Sequence, residues 1–133
     1  MKILIAAGGT GGHITPGVAI ANKLKELGNE IIFLGTNTGM EVDLVPKAGY
    51  ELKIISAKGL HRGFSLKNIK TIKTLFDGIK DVEKIIKEER PNIIIGTGGY
   101  VTAPAIIAGI KTKIPTMIHE SNALPRKNNN MAF

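Results

Sequence analysis

The chain has 133 residues, 43% of them hydrophobic and 22% charged, which suits one domain around one core and excludes two complete domains or a disordered chain. It contains no cysteine, so disulfides, thiolate metal sites and cysteine nucleophiles are excluded. A formal net charge of +7 suits an anionic partner or plain solubility, while 5% aromatic residues and no nucleic-acid motif argue against nucleic acid.

The apolar start, Met1-Lys2-Ile3-Leu4-Ile5-Ala6-Ala7, meets Gly8 too soon for a signal peptide and reads as a first strand. After a glycine-rich turn, Thr15 is placed to cap a helix with Pro16 in its first turn. Val18, Ala19, Leu24 and Leu27 form its expected apolar face, which ends at Gly28. Residues 30–34 read as a second strand closed by Gly35-Thr36, residues 40–48 as a short helix carrying Met40, Leu44 and Val45, and residues 52–56 as a third strand.

A long helical period follows over residues 65–89, with a break expected near Gly78. Leu66, Ile69, Ile72, Leu75 and Phe76 share one face of its first half beside Lys67, Lys70 and Lys73, and Val82, Ile85 and Ile86 mark its second half. Pro91 ends it. Residues 92–95 read as a buried strand, 96–100 as a second glycine-rich turn, 102–110 as a helix too short to span a membrane, and 115–119 as a last strand. The alternation specifies an α/β fold: a Rossmann-like parallel sheet with helices on both faces, occupying residues 1–125 and followed by a tail over 126–133 that completes no element.

Gly8-Gly9-Thr10-Gly11-Gly12-His13 stands between the first strand and the first helix. Its four glycines let backbone N–H groups approach an anion, and the helix N-terminus adds partial positive charge, which makes the turn a candidate diphosphate cradle. A P-loop is excluded because Gly12 is followed by His13-Ile14 rather than lysine and Ser/Thr. The dinucleotide fingerprint fits badly as well: Ile14 takes the place of its third glycine, and the second strand ends without an acid for the ribose.

Gly96-Thr97-Gly98-Gly99-Tyr100 lies between another strand and helix. Both turns fall at the carboxyl edge of a parallel sheet, where open α/β folds bind ligands, and His119-Glu120-Ser121-Asn122 reaches the same edge. His13 is either a base for a hydroxyl nucleophile or a phosphate ligand at the helix N-terminus, since a bound diphosphate would favour its charged form. His119, ending a buried strand, reads as a structural histidine, and His61 beside Arg62-Gly63 as loop.

Taken in order, the first glycine turn with His13 and Thr15-Pro16, Gly35-Thr36 with Glu41, the second glycine turn, and His119-Glu120-Ser121-Asn122 resemble the N-terminal domain of the MurG family. These are glycosyltransferases of bacterial cell-wall synthesis. The resemblance implies one half of a GT-B fold and a metal-independent, cofactor-free, inverting transfer. N-acetylglucosamine would pass from UDP-GlcNAc to the C4 hydroxyl of undecaprenyl-pyrophosphoryl-MurNAc-pentapeptide, converting lipid I to lipid II, on a peripheral protein at the cytoplasmic face of the cell membrane. It also implies a part in cell shape and division.

By the same resemblance Gly8, Gly9, Thr10, Gly11, Gly12, Thr15, Gly96, Gly98, Gly99 and Tyr100 receive the acceptor and its diphosphate. His13 matches the candidate base, and Glu120 and Asn122 help position the sugars. The lysines beside the Ile72 and Phe76 row suit an anionic membrane surface, while the crossover helix is expected to bury most of that row on the sheet. The family's second half, which makes most nucleotide-sugar contacts, has no counterpart in the sequence, and Arg126 stands where relatives carry glycine. An acceptor half-enzyme with little or no turnover alone is therefore expected. The alternatives are a non-catalytic membrane-recruiting partner of a split transferase and an unrelated nucleotide-binding α/β domain.

Overall fold

Strand β1 (Lys2–Ala7) carries apolar residues at every position after its first, as a strand covered on both faces requires. Leu4 and Ala6 pack into one core, and Ile3, Ile5 and Ala7 into another on the opposite face. The computed structural model describes residues 1–57 and 66–119, with side chains of residues 66–69 left aside. The expectations for His61, for residues 120–133 and for a domain limit at 125 lie outside the described residues.

After β1 come α1 (Gly11–Glu26), β2 (Glu30–Gly35), α2 (Glu41–Lys47), β3 (Glu51–Ile54), α3 (Leu66–Glu89), β4 (Ile93–Gly98), α4 (Thr102–Lys111) and β5 (Thr116–Ile118). The strands form one parallel sheet in the order β3-β2-β1-β4-β5. Helices α1 and α2 cover one face, where Ile14, Ala21 and Val45 meet Phe33 and Ile95; α3 and α4 cover the other, where Val82, Ile86, Ala105 and Ala108 meet Leu34 and Ile94. Each large apolar side chain fully buried in these layers contributes about 1.5–3 kcal/mol. The strand order reverses between β1 and β4, so the turns after these two strands leave toward opposite faces and open a crevice between them.

Several local expectations are corrected. Helix α1 begins at Gly11 with Thr10 as N-cap, not at Thr15. Its sheet-facing stripe is Ile14, Gly17 and Ala21, with Val18 and Leu24 partly buried. Ala19 lies off that stripe, and Leu27 is the exposed C-cap beyond the last packed turn. Helix α3 runs through Gly78 without a break. A Cβ there would collide with the Ser56 carbonyl, so this glycine serves close packing rather than chain reversal. The neighbouring Asp81 carboxylate accepts the Ser56 N–H at 2.9 Å, fixing the same approach.

Strand β3 lies two residues earlier at its end than expected, and β4 runs on to Gly98 instead of stopping at Ile95. Strand β5 is an edge strand with Met117 and Ile118 exposed, and His119 is exposed too rather than a buried structural residue; only its backbone N–H is tied, to the Gly96 carbonyl at 2.8 Å. No helix among the described residues is long and apolar enough to cross a membrane.

Candidate active site at the strand-order switch

The turn after β1 is shorter than its glycine content suggests. Only Gly8, Gly9 and Thr10 form it, because Gly11, Gly12 and His13 already make the first turn of α1. His13 and Ile14 donate their N–H groups to the Thr10 carbonyl, both at 3.1 Å, which leaves the amides of Gly11 and Gly12 at the head of the helix. Pro16 offers no N–H to the Gly12 carbonyl, a loss that the first turns of a helix tolerate best.

Strand β4 carries an irregularity at the matching level. Ala6 pairs with Gly96 but Ala7 pairs with Gly98, so Thr97 is the extra residue of a bulge. The bulge turns the Thr97 hydroxyl toward α1, where it donates to the His13 carbonyl at 2.8 Å. Gly96 is therefore a strand residue rather than part of the turn, and its missing side chain leaves room for Thr102. The Thr102 hydroxyl in turn accepts the Gly98 N–H at 3.1 Å.

The two glycine turns meet. Gly99, at φ +88, lies against the Gly8 backbone so closely that a Cβ would collide with the Gly8 carbonyl. Gly98, at φ +120, lies under the His13 imidazole in the same way. The ring is fixed at its other side by Nδ1, which sits 3.2 Å from the Gly8 carbonyl and 3.4 Å from the Thr10 hydroxyl. A carbonyl only accepts, so Nδ1 is the donor in this contact, and in the neutral ring the lone pair then lies on Nε2.

The structure thus brings together Gly8, Gly9, Thr10, Gly11, Gly12, His13, Gly98 and Gly99. Thr15 is exposed on the second turn of α1, and Tyr100 is exposed at the lip of the second glycine turn. Glu120 and Asn122 lie outside the described residues.

Two residues in this constellation had no role assigned from sequence. Thr97 was legible only as one more small residue in a glycine run, because a bulge leaves no periodic signal. Glu41 was part of a motif without a function, yet it is fully buried at 0% exposure beneath the first glycine turn. Its Oε1 accepts the Gly9 N–H at 3.0 Å, and its Oε2 accepts the Thr36 N–H at 2.8 Å and the Thr36 hydroxyl at 3.1 Å. Met40 adds a backbone bond from its N–H to the Gly9 carbonyl at 3.3 Å, so the loop after β2 is part of the same site.

Residues 3–132 match the glycosyltransferase family 28 N-terminal domain. Over 127 residues the chain is 46% identical to the UDP-N-acetylglucosamine–N-acetylmuramyl-(pentapeptide) pyrophosphoryl-undecaprenol N-acetylglucosamine transferase of Acetivibrio thermocellus, covering 94% of this chain and 34% of that protein. It is 49% identical to the protein of the same name from Alkaliphilus oremlandii, covering 94% of this chain and 35% of that one. The chain therefore spans about a third of the length of these curated relatives.

Among solved structures it superposes on Acinetobacter baumannii MurG with a TM-score of 0.81 and 28% identity, over 98% of this chain and 38% of that one. The Streptomyces glycosyltransferase SsfS6, at TM-score 0.70 and 14% identity over 99% of this chain and 42% of that one, shares the fold. With nearly its whole length matched by the family and a parallel sheet like that of these GT-B transferases, the chain belongs to the glycosyltransferase family 28 N-terminal domains.

Proposed function

We propose that this chain is the acceptor-binding part of a transferase that moves GlcNAc from UDP-GlcNAc to the C4 hydroxyl of undecaprenyl-pyrophosphoryl-MurNAc-pentapeptide. The observation that carries this reading is the meeting of the two glycine turns around His13, with Nδ1 on the Gly8 carbonyl and Nε2 without a protein partner among the described residues. The names of the relatives supply the donor and acceptor.

In this reading the acceptor diphosphate lies against the amides at the head of α1 and along the Gly98-Gly99 turn, where backbone dipoles meet its charge. The acceptor oxygen attacks the anomeric carbon of GlcNAc as the bond to UDP breaks. UDP leaves with the bonding electrons, and the hydroxyl proton passes to Nε2 of His13. The displacement is direct and inverting, so no protein nucleophile, metal or cofactor takes part. Thr15, Tyr100, Glu120 and Asn122 position the sugars, and the donor nucleotide is received by the region that the relatives carry beyond the matched span.

The acceptor is a lipid, so the chain works as a peripheral protein at the cytoplasmic membrane face, in cell-wall synthesis and hence in cell shape and division. Exposed Ile72 and Phe76 on α3, beside Lys73 and Lys80, support that placement. The test is transfer of labelled GlcNAc to a short-chain lipid I analogue by this chain mixed with a donor-binding C-terminal half. Turnover in the mixture and none with either half alone is expected; no turnover in the mixture, with an active full-length control, would overturn the reading. In the active mixture His13→Ala should lower kcat far more than it raises KM.

A further inference from the structure

Glu41 and His13 grip opposite ends of one peptide group. The Gly9 N–H, bonded to Glu41 Oε1 at 3.0 Å, and the Gly8 carbonyl, bonded to His13 Nδ1 at 3.2 Å, belong to the same planar unit. In a trans peptide these two groups point in opposite directions, so the plane spans the gap between carboxylate and imidazole. We propose that Glu41 is a positioning residue that acts on His13 through the Gly8–Gly9 peptide.

A carboxylate accepting an amide proton polarises that amide, which makes the carbonyl at its other end a stronger acceptor; hydrogen bonds in a chain reinforce one another this way. A stronger Gly8 acceptor holds the proton on Nδ1 and leaves Nε2 as the basic nitrogen. The arrangement does through a peptide what a carboxylate in direct contact does for a catalytic or metal-bound histidine.

The surroundings favour this role over simple packing. Glu41 is fully buried, and none of the ion pairs among the described residues involves it. A buried charge held only by hydrogen bonds is a costly way to fill space. Its slot is shaped for it as well: side chains at Gly35 or Gly39 would run into the Glu41 side chain, and one at Gly8 would lie 2.8 Å from Oε2. Thr36 holds Oε2 with two bonds, which leaves Oε1 aimed at Gly9.

The inference rests on the reading of His13 as base, but its test needs neither donor nor acceptor. Long-range nitrogen–proton NMR of the chain reports which ring nitrogen of neutral His13 carries the proton. The wild type should be mainly the Nδ1–H form, against the Nε2–H preference of free histidine. Glu41→Gln keeps the shape but removes the charge, and should shift the tautomer ratio about two- to three-fold toward Nε2–H, since one hydrogen bond strengthens the next in a chain by only about 10–30%. Glu41→Asp keeps the charge but withdraws it by one methylene from the Gly9 amide, and should shift the ratio the same way should the glutamine variant not fold.

A wild type that is mainly Nε2–H, or a folded variant of either kind that keeps the wild-type ratio, would overturn the proposal. Because the spectrum is independent of sugar transfer, that failure is separate from failure of the proposed function.

Discussion

The Thr97 hydroxyl donates to the His13 carbonyl at 2.8 Å, tying the first turn of α1 to the bulge of β4 across the crevice. Thr97 is 1% exposed, so no water replaces the bond when it is lost. Thr97→Val keeps the shape and should cost about 1 kcal/mol in urea denaturation, the net worth of one neutral hydrogen bond. It should also weaken binding of a soluble diphosphate probe, because the helix head is no longer held to the second glycine turn.

Gly9 and Gly99 have nearly the same backbone angle, φ +89 and +88, but different surroundings. Nothing stands within 4 Å of a Cβ at Gly9, whereas at Gly99 it meets the oxygen, carbon and nitrogen of Gly8. Gly9→Ala should therefore cost only the left-handed strain of about 1–2 kcal/mol. Gly99→Ala adds a collision with backbone that cannot rotate away, so its unfolding midpoint should fall well below that of Gly9→Ala. Equal midpoints would mean that the two turns are not in contact.

Gly78 separates propensity from packing. In an isolated helix alanine is better than glycine by about 1 kcal/mol, and on that basis alone Gly78→Ala would raise the melting temperature. The Ser56 carbonyl occupies the space a Cβ needs, and Asp81 holds that segment in place. The variant should melt lower than wild type, with helix content by circular dichroism unchanged.

The same glycine illustrates what a sequence reading can and cannot see. The parallel sheet and the convergence of two glycine turns at one edge follow from apolar strands alternating with helical periods, whereas the order of the strands does not. Whether a glycine breaks a helix or lets it approach a neighbour depends on the neighbour, as at Gly78. The true start of α1 at Gly11 is hidden in the sequence because Gly11 and Gly12 mask a helical turn whose reward is tertiary. Burial of Glu41 left no trace in composition, since its partners are backbone amides and a threonine brought in by the fold.

Glu89 sits between two lysines at the opposite edge of the sheet. The Lys2 ammonium donates to it at 3.0 Å and Lys53 stands at 3.4 Å. The hydrogen bond from Lys2 is the main reason its carboxyl is held below the ordinary range. Lys2 is raised in turn, chiefly by Glu89; burial opposes the charge of Lys53, but Glu51 and Glu89 more than offset it.

A lowered acid stabilises the fold above its unfolded pKa of about 4.3, and that share is lost as pH falls through the lower folded value. The raised lysines contribute fully below about 10.4 and lose their share as pH rises through their higher folded values. Glu89→Gln should therefore be less stable than wild type near neutrality, and the gap should narrow when urea midpoints are followed into acid. A gap that stays constant as the midpoints are followed down through the acid range would rule out the linkage.

Helix α3 turns one stripe toward the sheet and an adjacent one outward. Thr71, Ile79, Val82 and Ile86 are buried and Leu75 partly so, whereas Ile72 and Phe76, two of the five residues in the expected apolar row, are 48% and 60% exposed. Leu66 and Ile69 fall among residues whose side chains are not described. At helical spacing Lys73 and Lys80 share the outer stripe with Ile72 and Phe76, which pairs apolar contact with positive charge on one surface. Phosphatidylglycerol–phosphatidylcholine vesicles should bind the chain at low salt and release it as salt screens the lysines. Phe76→Asp should lower vesicle binding while leaving urea stability within about 0.5 kcal/mol, as expected for a surface change. Lys73→Gln and Lys80→Gln should each weaken binding by about 1 kcal/mol, or roughly five-fold, at low salt only. Binding that survives Phe76→Asp unchanged would place the lipid contact elsewhere on the molecule.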